Sequence, residues 1–325
     1  MVQQVADGVY QIDTKPMGIE NIIASYLLVG SGGIALIDPG FSCSVDTNLD
    51  AIKELGIDPA DIDYVVLTHS HIDHAGGVGQ LIGPAGRAKV TAHQRGAFYL
   101  KNSGKIGGGG HLVFGSEMMA QLGEPVDVPT DRIKTIGDGD VIDLGDKGLR
   151  VHYTPGHCGD HVSLLEESGG TLFPGDTACL HYPDLGQVLI PAGSPPIYQT
   201  EQVLNELNSL SQCDVNLVLT PHFGSPGTTP SEFLSANIEN VSSERDRIDA
   251  MFKRGMEFPQ VVEQLRSEIL EQSGKAPGEI PEFISDVWLR IMLKTGLMGL
   301  MADLLQYARD IRPFTHTASS QESAR

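Results

Sequence analysis

Up to about residue 225 the chain alternates short apolar runs with loops and helical spacings, the texture of a mixed α/β layer fold. "NIIASYLLV" and "GGIALIDPG" read as paired strands separated by Gly-Ser-Gly-Gly, "DYVVLTH" as a buried strand, and "AKVTAH", "LRVHYTP", "VSLLEE", "TLFPGD" and "VNLVLTPH" as the rest of the series. "CSVDTNLDAIKELG" and "TEQVLNELNSL" have helical spacing, with Gly56 as a stop for the first. After Gly227 the texture becomes helical. Thr229 reads as an N-cap, with Pro230 at the first helical position and Glu232 three after the cap, and the helix ends at Gly255. "FPQVVEQLRSEILEQSG" and the apolar stretch Pro281 to Tyr307 predict two more helices. The expected division is therefore a catalytic domain over 1–227, a helical region over 228–312 and a polar, Ser-rich tail over 313–325.

With 22 Lys and Arg against 42 Asp and Glu, the net charge of −20 disfavours nucleic acid and anionic membrane surfaces as partners. Asp286, Arg290, Lys294 and Asp303 interrupt the most apolar segment, which argues against a spanning helix. That segment suits a buried helix or a contact between two copies, so a homodimer through the C-terminal helices stands beside packing within one chain. The N-terminus "MVQQVADGVYQIDT" has neither the basic start nor the apolar run of a secretory signal, and a cytoplasmic location is expected. The four cysteines, Cys43, Cys158, Cys179 and Cys213, have no CxxC spacing and are expected as thiols, with Cys158 and Cys179 as packing residues.

Four predicted strands run into a His or Asp: His69, His157, Asp176 and His222. In layered α/β folds, function gathers at such strand ends. The first of these ends is the most telling. In "VVLTHSHIDHAGGVGQL", His69 and His71 alternate on an extended segment and can approach one ion. Asp73 and His74 follow at a turn that Gly76 and Gly77 permit, and can address a second point close by. Such a donor set suits zinc, and also iron or manganese, whereas magnesium and calcium prefer oxygen shells. His157 in "TPGHCGDH", Asp176 in "FPGDTACL" and His222 in "LTPHFG" bring the potential ligands to seven.

HxHxDH followed by a single His, a single Asp and a last His resembles the metallo-β-lactamase superfamily over roughly residues 1 to 225, including "LIDPG" at Leu36 to Gly40. The resemblance implies an αββα sandwich with the site along the edge between its sheets. It implies that His69, His71 and His157 hold one metal and Asp73, His74 and His222 a second, with Asp176 bridging. Asp38 falls where that family keeps a buried acid, so it either orients a ligand or caps its turn.

Two divalent ions about 3.5 Å apart share and acidify a water, so the expected activity is hydrolysis of a carboxylic ester, thioester or lactone in a small-molecule substrate by a metal-bridging hydroxide. Asp73 and Asp176 are the expected catalytic carboxylates, Asp73 or a nearby water relaying the proton to the leaving group. The helical C-terminal region is similar to that of glyoxalase II and related thioesterases. "AHQRGAFYL" and "TPHFGSPG" resemble segments of archaeal-type binuclear hydrolases of the superfamily. Acyl-homoserine lactonases carry a tyrosine three residues after the bridging Asp, where this chain has Cys179 and its nearest tyrosine is Tyr182. The alternatives are a phosphodiesterase of small substrates, a persulfide dioxygenase-like iron enzyme and a non-catalytic sensor. The glycine-rich segment Tyr99 to Thr130 reads two ways. Either it is a long loop that covers the site with Tyr182, Tyr198, Phe223 and the C-terminal helices, or "HLVFGSEMMAQLG" is a packed structural helix. The run Gly107 to Gly110 within it reads as a local loop.

Overall fold

Strands β1 (Val2–Ala6), β2 (Val9–Asp13), β3 (Ala24–Val29) and β4 (Ile34–Ile37) form an antiparallel meander, to which β5 (Tyr64–Val66), β6 (Lys89–His93) and β7 (Ile133–Ile136) add in parallel. The computed structural model of the chain describes residues 2–276 and 278–310. The segment 313–325, read above as a polar tail, lies outside the described residues. Parallel pairs need crossovers, and helices supply them. Helix α1 (Val45–Glu54) joins β4 to β5, the single turns α2 (Ile72–Ala75) and α3 (Val78–Leu81) lie between β5 and β6, and α4 (Gln94–Leu100) and α5 (Gly104–Leu122) lie between β6 and β7.

The chain then lays down a second sheet with β8 (Val141–Asp143), β9 (Gly148–Tyr153), β10 (Val162–Glu166) and β11 (Thr171–Phe173). It detours through the ribbon β12 (Leu180–His181) and β13 (Leu189–Ile190) and helix α6 (Thr200–Leu210), and returns as β14 (Leu217–Val218) in parallel beside β11. Side-chain alternation divides the core in two. Tyr26, Leu28 and Ile37 face Val151, Leu164 and Phe173 between the sheets, while Leu27, Leu36 and Val65 on one sheet and Leu165 and Leu172 on the other face the helical layers. The result is the αββα sandwich that the resemblance implied.

Beyond the sandwich, Thr229 caps α7 (Pro230–Lys253) as read from the sequence. Its hydroxyl accepts from the Glu232 N–H and the Glu232 carboxylate accepts from the Thr229 N–H. Helices α8 (Phe258–Gln272) and α9 (Leu289–Asp310) follow, the last preceded by a π-helical turn over Phe283–Trp288. Trp288 is fully buried and stacks on Phe114 at 5.8 Å. Val287, Met298 and Leu305 are exposed on the same helical segment. No helix among the described residues is long and apolar enough to cross a membrane.

Helix α5 corrects one sequence reading and decides the form of another. The run Gly107–Gly110 is helical rather than a loop, and the segment Tyr99 to Thr130 is mostly helix, with a break at Gly115 where φ is +75°. Glycine disfavours a helix locally by about 1 kcal/mol, but tertiary contact overrides it here. A Cβ on Gly110 would lie 2.7 Å from Ile72 Cδ1 and 2.8 Å from Met119 Sδ. The absence of side chains is what lets α5 settle onto α2, beside the metal-ligand motif.

A second close approach ties α9 to the site. A Cβ on Gly299 would stand 2.4 Å from the Ser194 backbone nitrogen, and one on Gly193 would meet the Gly296 carbonyl oxygen at 2.3 Å. The spaced glycines of "TGLMGL" therefore seat the Pro191–Pro196 segment directly on the last helix.

Candidate metal centre and its cleft

The seven sequence-predicted donors meet at one end of the sandwich. His69 follows β5, His157 follows β9, Asp176 follows β11 and His222 follows β14, while His71, Asp73 and His74 lie at the start of α2. They gather into a group of His69, His71 and His157 and a group of Asp73, His74 and His222. Asp176 stands between the groups. Its Oδ2 is 3.5 Å from His74 Nε2, 3.6 Å from His157 Nε2 and 3.9 Å from His69 Nε2, and its Oδ1 is 3.3 Å from His222 Nε2.

Each imidazole is aimed by a bond at its other nitrogen. His74 Nδ1–H donates to Asp38 Oδ2 at 3.0 Å, His157 Nδ1–H donates to the Ala192 carbonyl at 2.7 Å, and His222 Nδ1 faces the Tyr182 hydroxyl at 3.3 Å. The Thr68 hydroxyl donates to Asp38 at 2.6 Å, so its oxygen is left to accept from His69 Nδ1 at 3.1 Å. His71 is the reverse case. Its Nε2 meets Ser194 Oγ at 3.3 Å and its Nδ1 points inward, 2.9 Å from His69 Nε2 and 3.0 Å from His157 Nε2. Three ring nitrogens so placed crowd their lone pairs together unless a proton or cation lies among them.

The protonation pattern leads to the same place. Burial holds the His69 and His157 rings well below the usual imidazole range, so both are neutral donors. Burial alone would raise the Asp176 carboxyl, but His222 and His74 hold it well below its ordinary range and ionised. Burial opposes charge on His74 too, yet Asp176, Asp73 and Asp38 outweigh it and push that ring well above its ordinary value. The buried atoms His74 Nε2, His222 Nε2 and Asp176 Oδ1 have no hydrogen-bond partner. Buried polar atoms are seldom left unpaired. A divalent cation satisfies all three: it needs neutral imidazoles and ionised carboxylates, the states burial and charge already give His69, His157 and Asp176, and it would take the place of the proton that the neighbouring acids hold on His74.

Of the residues expected around the donors, Asp38 is the most deeply built in. It is buried, takes φ of +48°, and accepts from both the backbone N–H and the hydroxyl of Thr68 as well as from His74. Tyr182 lies behind His222 and outside the cleft wall. Tyr182, Phe223 and Tyr198 are expected to cover the site, and none of the three lines the cleft. Tyr198 packs in the core beneath the helices, and Phe223 packs in the core between the sheets because the turn that presents His222 inward directs its neighbour away. Cys179 is buried, its N–H donating to Asn237, as a packing residue should be. Cys158 departs from that expectation. Its side chain lies in the cleft wall beside the His69, His71 and His157 group, donates to Asp160 Oδ1 at 3.4 Å, and is kept a thiol by burial.

Five supports escaped the sequence reading. Asp160 Oδ2 accepts the Ser70 N–H at 3.0 Å and His161 Nε2 accepts the Asp176 N–H at 2.9 Å, fixing the His157 loop to the loops that carry His69 and Asp176. Both residues belong to "CGDH", directly after His157, and that run of polar residues was the available signal. Ala192 and Ser194 had no local signal at all. Glu206 supports the loop from behind, accepting the Gly156 N–H at 2.9 Å. Its burial raises the carboxyl to about 7. A carboxyl raised on folding favours the fold fully below its unfolded value near 4.5 and loses that contribution as pH rises through about 7. At about 1.4 kcal/mol per decade this is roughly 3 kcal/mol. Glu206→Gln keeps the acceptor and removes the titration. It should raise the melting temperature at pH 8.5 by several degrees and leave it nearly unchanged at pH 4.5; equal shifts at both pH values would refute the assignment.

A cleft of about 540 Å³ opens from the donors. His71, Asp73, His157, Asp176 and His222 form its floor, and α5, the Pro191–Ile197 segment and Met292 of α9 form its walls. The segment Tyr99 to Thr130 thus reconciles its two readings: it is a packed helix, and that helix walls the site.

An αββα sandwich with a cluster of His and Asp donors at its strand ends defines a metal-dependent hydrolase. The family model of the metallo-β-lactamase superfamily matches residues 18–222, and the chain belongs to that superfamily. It is 27% identical over 220 residues to the metallo-β-lactamase fold-containing protein ST1585 of Sulfurisphaera tokodaii, an alignment covering 67% of this chain and 78% of that one. The crystal structure of archaeal ST1585 superposes with a TM-score of 0.66 at 23% identity, covering 90% of this chain and 98% of the other. A metallo-β-lactamase family protein of Thermus thermophilus, TTHA1429, superposes with a TM-score of 0.64 at 18% identity over 94% of this chain and 95% of that one. A hydroxyacylglutathione hydrolase of Francisella tularensis subsp. novicida is 30% identical over 152 residues, 47% of this chain and 46% of that protein.

Proposed function

We propose that the protein hydrolyses a carboxylic ester, thioester or lactone with two divalent ions held by the seven donors. His69, His71 and His157 would hold one, Asp73, His74 and His222 the other, and Asp176 both. Zinc suits this set best, since imidazole nitrogens outnumber carboxylate oxygens and the site lacks the all-oxygen shell that calcium and magnesium prefer. When bound, such ions supply an acidified water and a Lewis acid for the carbonyl oxygen. The chain's own residues do the rest. Asp38, Thr68, Ala192, Tyr182 and Ser194 hold each ring's second nitrogen, so that the donor nitrogen does not turn away. The Asp73 carboxylate borders the cleft and is placed to take a proton and return it to the leaving group. Residues 1–227 supply every donor, and 228–312 close one wall through Met292 and Thr295.

The observation that carries this reading is the cleft itself. Its walls are chiefly apolar, from Ile106, Phe114, Leu180, Pro191 and Met292, and it opens straight onto the donors. Such a shape suits an acyl group better than a hydrated phosphodiester. The similarity to a hydroxyacylglutathione hydrolase supports an acyl substrate as well. Matched p-nitrophenyl esters, acyl thioesters, lactones and bis(p-nitrophenyl) phosphate test it. At least one acyl class should exceed the phosphodiester in kcat/KM by about a hundredfold, a difference of about 3 kcal/mol; a phosphodiester preference over every acyl compound would reverse the reading.

A further inference from the structure

Nine large apolar side chains are exposed among the described residues, and four of them, Phe98, Tyr99, Leu112 and Ile197, ring the mouth of this single cleft. Scattered singly, exposed apolar residues need no explanation, but a ring around a concave site marks a ligand surface. Within the wall, Arg95 and Lys105 are the two side chains of fixed positive charge, in a chain of net charge −20. One face of α4 presents Arg95, Phe98 and Tyr99 at i, i+3 and i+4. From the first turn of α5, Lys105 reaches over the Phe98 ring at 5.6 Å, and Phe98 meets Tyr99 edge-on at 5.5 Å.

Neither cation lies within ion-pair distance of a carboxylate among the described residues. The Arg95 guanidinium touches the Gly159 carbonyl at 3.3 Å. Asp160, the nearest acid in that loop, is already committed to the Ser70 N–H and the Cys158 thiol. An aromatic ledge with two cations that have no carboxylate partner among the described residues, beside the candidate metal donors, is a site for an amphipathic anion.

Resting on the acyl-hydrolase reading, we propose that the substrate is an anionic acyl compound, its acyl part a medium or long alkyl chain. The chain lies along the apolar wall of α5 and the Pro191–Ile197 segment, and the leaving group carries a carboxylate or phosphate that Arg95 and Lys105 hold at the mouth. The cleavage balances as hydrolysis: water adds across the acyl bond, the acyl carbon leaves as a carboxylic acid, and the anionic leaving group departs with the proton.

The test uses the zinc-loaded full chain and two octanoyl thioesters, of 3-mercaptopropionate and of its methyl ester, which differ only in the charge. Expected is a kcat/KM about tenfold higher for the anionic thioester, a preference that the double variant Arg95→Gln, Lys105→Gln abolishes. The acetyl thioester of 3-mercaptopropionate should be slower than the octanoyl one by about tenfold or more, each buried methylene being worth a severalfold factor. Binding is read separately with the thioether S-octyl-3-mercaptopropionate and its methyl ester, through the fluorescence of Trp288, the chain's single tryptophan, which stacks on the cleft residue Phe114. The anionic thioether should bind about tenfold tighter than its ester in the wild type and equally in the double variant. Equal binding of the two thioethers in the wild type, or a preference that survives in the double variant, overturns the anion site. Equal rates for acetyl and octanoyl thioesters overturn the alkyl subsite. If neither thioester is cleaved while the charge-dependent binding persists, it is the acyl-hydrolase reading that fails, and the anion site stands.

Discussion

Replacing Asp176 by Asn is expected to lower kcat/KM for the best acyl substrate on the order of a thousandfold, a loss of about 4 kcal/mol in transition-state stabilisation. The amide matches the carboxylate in shape and leaves the backbone N–H bonded to His161 Nε2, so the fold should persist. What disappears is the one negative charge facing four imidazoles, at 3.3 to 3.9 Å from His222, His74, His157 and His69. That charge also sustains the elevated proton affinity of His74. Without it the two donor groups lose their shared member, and an amide oxygen is a far weaker ligand for a second cation. Circular dichroism checks the fold and steady-state kinetics the loss; activity within about tenfold of wild type would show that Asp176 does not join the two groups.

Asp38→Ala is expected to be the most damaging change to stability outside the ligands themselves. Three buried donors, the Thr68 N–H, the Thr68 O–H and His74 Nδ1–H, would lose their acceptor at once. Breaking a buried pair of this kind costs about 3 to 5 kcal/mol, and alanine at φ +48° adds strain. The melting temperature should fall by roughly 8 °C or more. The activity of what remains folded should drop about tenfold to a hundredfold, because both His69 and His74 lose their orientation. Asp38→Asn tolerates the same backbone and keeps one acceptor, so it should lose clearly less stability than alanine. A melting temperature for Asp38→Ala within about 2 °C of wild type would remove Asp38 from this role.

How much of this was legible in the sequence depends on which physics set each residue. The gathering of the seven candidate donors at one end of the fold was readable because metal chemistry restricts the residue types, and because the motif at His69 directly follows a buried strand. The αββα class followed from that pattern and from the apolar runs. Thr229 was readable because an N-cap is a local arrangement that needs only its own next three residues. Residues 107–110 were misread for the opposite reason: their local preference opposes a helix, and the packing of Gly110 against Ile72, distant in sequence, and against Met119 beyond the break in the same helix decides the outcome. Strands β1 and β2 were not singled out because "VQQVA" and "VYQID" are short and half polar, and pairing with β3 settles them. Ala192 and Ser194 were invisible because their contacts to His157 and His71 span 35 and 123 residues, and a backbone carbonyl leaves no mark on residue type. Phe223 shows the limit from the other side, since adjacency to a ligand says nothing about which way a neighbouring side chain points.

The same reasoning explains why the C-terminal helices bear on the candidate site although none of the seven candidate donors comes from them. Gly296 and Gly299 let the Gly193–Ser194 backbone rest on α9, and that segment in turn holds His71 and His157 through Ser194 and Ala192. The helical region therefore acts on the donors through packing, and its apolar residue Met292 also faces the cleft.

The most direct test of the central claim is the metal content of the purified full chain after dialysis against zinc and then metal-free buffer, measured by elemental analysis against protein concentration from amino-acid analysis. Seven donors in two groups sharing Asp176 predict close to two zinc ions per chain in the wild type and one or fewer in Asp176→Asn. A wild-type content near zero or one, or a variant that retains both ions, would contradict the two-ion centre.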